Sequence, residues 1–75
     1  MQRYKNLSGN SGVTRFELGD GRIVVQFEDG VHYEYTSASA GAAAIAQMHA
    51  LARAGRGLSS FIATTVRDHY ARKYR

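Results

Sequence analysis

Arginine is the residue type in this chain whose density and placement point to chemistry. Residues 53–75 carry Arg53, Arg56, Arg67, Arg72, Lys73 and Arg75 against a single acid, Asp68, a local charge of +5; residues 1–52 carry four bases against five acids. Guanidinium groups at this density can hold phosphate oxygens without reading base sequence. They can equally keep a solvated helix face soluble. A related signal is Gly55-Arg56-Gly57-Leu58-Ser59-Ser60. A Gly-x-Gly break opening into a helix start leaves backbone N–H groups for an anion, with Arg53 and Arg56 beside it. The competing reading is a plain turn with a glycine cap and a serine cap at Ser59 or Ser60. No Gly-x-x-x-x-Gly-Lys-Ser/Thr occurs, so the break is not a nucleotide P-loop. The expected nucleic-acid or anion contacts are therefore Arg53, Arg56, Ser59, Ser60, Arg67, Arg72, Lys73 and Arg75. Tyr74, near Arg67 on a helical wheel, is placed to stack on an unpaired base.

Other chemistries find little support. The 75 residues include no cysteine, so disulfides and Cys-based zinc sites are excluded. His32, His49 and His69 form no i,i+4 pair, and no metal site is expected. No nucleophile elbow or paired-carboxylate pattern occurs. A chain this short buries only about 60% of its unfolded surface and has little volume for a pocket that excludes water. The reading is a non-enzyme without a cofactor. Met1-Gln2-Arg3-Tyr4-Lys5 is not followed by an apolar h-region. The longest low-charge stretch, Tyr35 to Ala52, is mostly Ala, Ser and Gly, too weakly apolar to span a bilayer. A soluble cytoplasmic protein with no membrane partner is the expectation.

Ser8-Gly9-Asn10-Ser11-Gly12 reads as a loop. Residues 1–10 read as a flexible lead-in that Tyr4 and Leu7 can pin, and residues 11–75 as one domain. Three strands follow, Val13 to Leu18, Arg22 to Glu28 and Val31 to Thr36. Gly19-Asp20-Gly21 and Glu28-Asp29-Gly30 turn the chain between them, which predicts an antiparallel meander. Period-two alternation puts Phe16, Leu18, Ile23, Val25, Phe27, Val31, Tyr33 and Tyr35 on one face. Val13, Arg15, Glu17, Arg22, Val24, Gln26, Glu28, His32 and Glu34 fall on the other. The apolar face requires a helical cover. Ser37 or Ser39 can cap a first helix with the stripe Ala44, Ile45, Met48, Leu51 and Ala52, closed by Gly55. A second helix, capped at Ser59 or Ser60, runs towards the C-terminus. Leu58, Ile62, Val66, His69 and Tyr70 lie on its inner arc, and Arg67, Arg72 and Arg75 lie largely opposite. The fold class is α+β: a three-stranded antiparallel β-meander followed by two helices packed on one face, βββαα.

The order of several motifs resembles the KTSC domain, a module of about this length. It is named for its place at the C-terminus of some lysyl-tRNA synthetases, and it also stands alone in bacteria. The residues that carry the resemblance are Tyr33-Glu34-Tyr35 after the Asp29-Gly30 turn, the break Gly55-Arg56-Gly57-Leu58, then Phe61, Val66-Arg67 and Tyr70. They span roughly residues 11–71. The apolar-Pro linkage usual after Tyr-x-Tyr is replaced by Thr36-Ser37-Ala38-Ser39-Ala40-Gly41. That departure bears on where the first helix starts. The family has no established activity; its synthetase context suggests RNA binding by association.

For Tyr33 and Tyr35, parity with the apolar face implies a core role rather than a base-stacking platform. The same holds for Gly57, Phe61, Val66 and Tyr70 as structural positions. The open sheet face reads as free of aromatics. The functional expectation is a small non-catalytic module contacting RNA or DNA phosphates through a C-terminal basic helix and the Gly-rich turn. The alternative is a protein-interaction or self-associating module, since the edges of a small sheet invite pairing.

Overall fold

The computed structural model describes all 75 residues. The fold is α+β, built on a five-stranded antiparallel sheet in sequential order. The strands are β1 (Gln2–Arg3), β2 (Val13–Gly19), β3 (Arg22–Phe27), β4 (His32–Thr36) and β5 (Arg72–Tyr74). The three central strands are those that alternation predicts. Asp20-Gly21 is the two-residue loop of the first hairpin, closed by the Gly19↔Arg22 pair. The two outer strands correct the three-stranded expectation.

At one edge, Gln2 and Arg3 pair with Phe16 and Arg15. The segment expected as a flexible lead-in is tied down further. The Tyr4 amide donates to Thr14 O at 2.9 Å, and that of Leu7 to Gly55 O at 2.8 Å. The Tyr4 side chain is only 3% exposed. Burying one aromatic ring recovers about 2 kcal/mol or more, which offsets the chain entropy of one or two residues; the backbone bonds to Thr14 and Gly55 add to it.

Val13 corrects the face assignment. A bulge between Val13 and Arg15 shifts the register, so Val13 lies opposite Phe27 and joins the core. One extra residue in a bulge inverts the parity of what precedes it.

Two helical segments follow β4. Thr36, rather than Ser37 or Ser39, caps α1 (Ser37–Ala40); its hydroxyl accepts from the Ser39 amide, and Ser39 Oγ accepts in return from the Thr36 amide. Gly41, at φ 97° and ψ 143°, breaks the run before α2 (Ala42–Ala54), a conformation open essentially to glycine. Gly55 ends α2 in the left-handed conformation, as expected, with Arg53 in the last turn. A Cβ on Gly55 would lie 2.6 Å from Lys5 Cβ, so the turn also needs glycine for space.

The second helix is shorter than periodicity predicts. α3 spans Leu58–Phe61 and continues as one π-helical turn, Ile62–Val66. Gly57 holds the N-cap position, so Ser59 and Ser60 lie inside the helix and cap nothing. Thr64, Thr65 and Val66 are β-branched in sequence, which weakens helix. Arg67 then turns the chain at φ 45° and ψ −116°. The basic C-terminal helix therefore does not form. Arg72–Tyr74 instead pairs antiparallel with His32–Glu34 and satisfies the outer edge of β4.

The core lies between the inner sheet face and the helices. Tyr4, Val13, Phe16, Ile23, Val25 and Tyr35 meet Ile45, Met48, Ala52, Leu58, Ile62 and Val66. Tyr33 and Tyr35 both point inward, Tyr35 at 1% exposure and Tyr33 half-buried. Phe61 and Tyr70 are half-buried against the same cluster. His69, expected on the inner arc, is exposed because the helix stops before it.

Candidate nucleic-acid interface

The helices cover one side of the sheet and leave the other open. Residues directly opposite one another on neighbouring strands share a face, so the register assembles the open face row by row. One row runs Arg3, Arg15, Gln26, His32, Tyr74 across all five strands. The next runs Glu17, Val24, Glu34, Arg72.

The second row is an ion-pair network. Glu34 accepts from Arg22 Nε at 2.9 Å and from Arg72 Nε at 2.8 Å, and Arg22 also lies 3.6 Å from Glu17. The hydrogen bonds from Arg22 and then Arg72 hold the Glu34 carboxyl below its ordinary range. The bond to Glu34 raises the Arg22 guanidinium in turn. Beneath these side chains Val24 is only 2% exposed although it points away from the core.

The first row carries no such pairing. Arg3 and Arg15 are exposed and make no ion pair with any carboxylate. At the far end the Tyr74 ring stacks on His32, centroids 4.9 Å apart and planes within 3°. The Arg72 guanidinium sits 4.7 Å from the Tyr74 centroid. Tyr74 remains 37% exposed. The open face therefore does carry an aromatic, against the sequence expectation. Periodicity alone continues the second helix through Tyr74; on a strand opposite His32 it faces outward with Arg72.

The residues expected as anion contacts are dispersed. Arg72 lies on the open face, bound to Glu34. Lys73 points to the other side of β5, with Nζ 5.6 Å from the Tyr33 centroid. Arg75 donates to Asp29 O at 2.6 Å. Arg67 stands at the mouth of an apolar cleft of about 260 Å³ lined by Phe27, Tyr33, Tyr35 and Ile62. Its carbonyl accepts from Tyr35 Oη at 2.8 Å. Burial pushes the Tyr35 phenol up to about 12, aided by Tyr33, Tyr70 and Asp68. Arg53 and Arg56 are exposed around the Gly55 turn on the helical side.

That turn is less available to an anion than its sequence implies. The Leu58 amide at the start of α3 donates to the buried Tyr4 hydroxyl at 3.3 Å. Ser60 is exposed within the helix, Ser59 half-buried.

Sequence reasoning missed Arg3, Lys5, Arg15, His32 and Tyr74 as a group. The alternation of β2 and β4 already put Arg15 and His32 on one face; what was missing was the pairing of both termini onto that sheet. His49 belongs to the framework, its Nε2 2.8 Å from Arg22 O. No three His, Asp or Glu side chains gather where a metal could be held. No helix is long and apolar enough to cross a membrane. No family model, curated protein or solved structure matches the chain.

Proposed function

We propose that this chain is a non-catalytic module that holds single-stranded RNA or DNA across the open face of its sheet. The observation that carries the reading is the row in which exposed Tyr74, stacked on His32, shares one face with unpaired Arg15 and Arg3. An aromatic offers a stacking surface to any base, and arginines beside it take phosphates. The site thus moves from a basic helix to a sheet face, while the ligand class stays that suggested by the charge. We propose also that the chain is a KTSC-like module. In support, Tyr33, Tyr35, Phe61, Val66 and Tyr70 all pack against or within one core.

Fluorescence anisotropy with short labelled RNA and DNA strands tests the function. Affinity is expected to fall as salt rises, with a log–log slope of about −2 if three phosphates are engaged. Tyr74→Ala should weaken binding by about tenfold or more, and Arg15→Gln should reduce the salt slope by about 0.7. Arg53→Gln and Arg56→Gln, on the helical side, should change little. No binding at low salt would reject the reading. Loss on Arg56→Gln with none on Tyr74→Ala would return the site to the Gly55 turn.

A further inference from the structure

An open cleft of about 400 Å³ lies where β1 pairs beside the bulged start of β2, and unneutralised cations line it. Arg3, Lys5, Arg15, Asn6 and Thr14 line it, with Glu28 as its one carboxylate. Its cations are fixed by the fold. In the extended N-terminal segment Tyr4 points into the core and Arg3, paired with Arg15, points out, while exposed Lys5 runs its stem along Gly55 at the edge of the cleft. The Tyr4 and Leu7 backbone bonds hold that segment against Thr14 and Gly55.

Arg3 and Arg15 are direct cross-strand partners. Like charges in this position destabilise a sheet. Elsewhere on the face every cation has a carboxylate: Arg22 has Glu17 and Glu34, and Arg72 has Glu34. In the cleft three cations make no ion pair, with Glu28 included among the possible partners. A local rule broken with no compensating contact marks a site shaped for something other than stability. The missing partner is an anion. Two guanidinium forks on directly paired residues, with Lys5 on the cleft lining beside them, suit the several oxygens of a phosphate better than a single carboxylate.

We propose that this cleft is a phosphate site in its own right, taking a group with two or more negative charges. The group is a free phosphate or pyrophosphate, or the phosphorylated end of a strand. The proposal shares Arg3 and Arg15 with the nucleic-acid reading but does not need it, because Tyr74, which carries that reading, plays no part here.

Thermal unfolding with added pyrophosphate, against sodium chloride of matched ionic strength, tests it. Pyrophosphate should raise the midpoint saturably, by about 5 °C or more at tenfold excess over half-saturation. Arg15→Gln should raise the midpoint of the ligand-free protein by relieving repulsion, and should abolish the pyrophosphate shift; Arg3→Gln should do the same. Tyr74→Ala should keep the shift, so failure of strand binding and failure of this site are separable. No saturable shift, or one that Arg15→Gln retains or Arg53→Gln/Arg56→Gln equally removes, would overturn the proposal. Anisotropy then separates the sources. A several-fold preference for a 5′-phosphorylated over a 5′-hydroxyl strand assigns the strand end. Equal binding of the two, beside a saturable pyrophosphate shift, assigns the free ion.

Discussion

Glu34 is the residue on which the open face is organised. It receives two guanidinium groups and lies mostly out of solvent, while Arg22 and Arg72 remain partly exposed. Screening limits such a pair to about 1 kcal/mol. Because the carboxyl is held below its ordinary value of 4.5, its contribution is complete above that value and disappears as pH falls through the folded one. Urea unfolding of wild type and Glu34→Gln should therefore differ by about 1 kcal/mol at pH 7 and converge in strong acid. Tyr35 has the opposite sign. Its phenol is raised to about 12, so the folded state holds the proton after the unfolded chain has lost it. Stability is then full below pH 10 and declines between 10 and 12, by roughly 3 kcal/mol. Tyr35→Phe should remove that alkaline decline and cost about 1–2 kcal/mol at neutral pH, since it orphans the Arg67 carbonyl. An unchanged alkaline limb would show that another phenol is responsible.

At the scale of elements, the strand that carries Tyr74 depends on one aromatic joint. Tyr70 meets Tyr33 edge-on at 5.2 Å and Tyr35 at 6.2 Å. The Ala71 amide then donates to Glu34 O at 2.6 Å, and three residues of β5 follow, all exposed. So short an edge strand has little stability of its own. Tyr70→Ala should release it. Amide exchange at Arg72–Tyr74 is expected to become nearly unprotected while β2, β3 and β4 stay protected. Protection of β5 in that variant would mean the ladder and the His32–Tyr74 stack hold it unaided. The central hairpins were legible from Val13 to Thr36 because alternation and two Gly turns are local signals. The end of α3 was less so. Thr64-Thr65-Val66 gave a propensity warning, but the arc Leu58, Ile62, Val66, Tyr70 continued the period past it.

At the scale of the molecule, both sheet edges are open and both are cationic, with Arg3 on β1 and Arg72 and Lys73 on β5. Charges on edge strands oppose pairing with another copy. Light scattering should give a mass of 8.3 kDa at ordinary ionic strength. A dimer that persists at low salt would favour the self-associating alternative over phosphate contact. A net charge of +4 repels a second copy and favours approach of anions in general.

Composition and alternation alone determined the α+β class, the central meander, the apolar face with Tyr33 and Tyr35 upon it, the glycine at the end of α2 and the excess of basic charge. These are read from residues within a few positions of one another. Where that charge is displayed was decided only by tertiary pairing. Residues 2–3 and 72–74 are too short to announce themselves as strands, and each takes its structure from an edge the meander leaves unsatisfied. Pairing there turned Arg3 and Tyr74 outward and aligned them with Arg15 and His32. It joined residues from opposite ends of the chain into one surface, a relation no local pattern encodes.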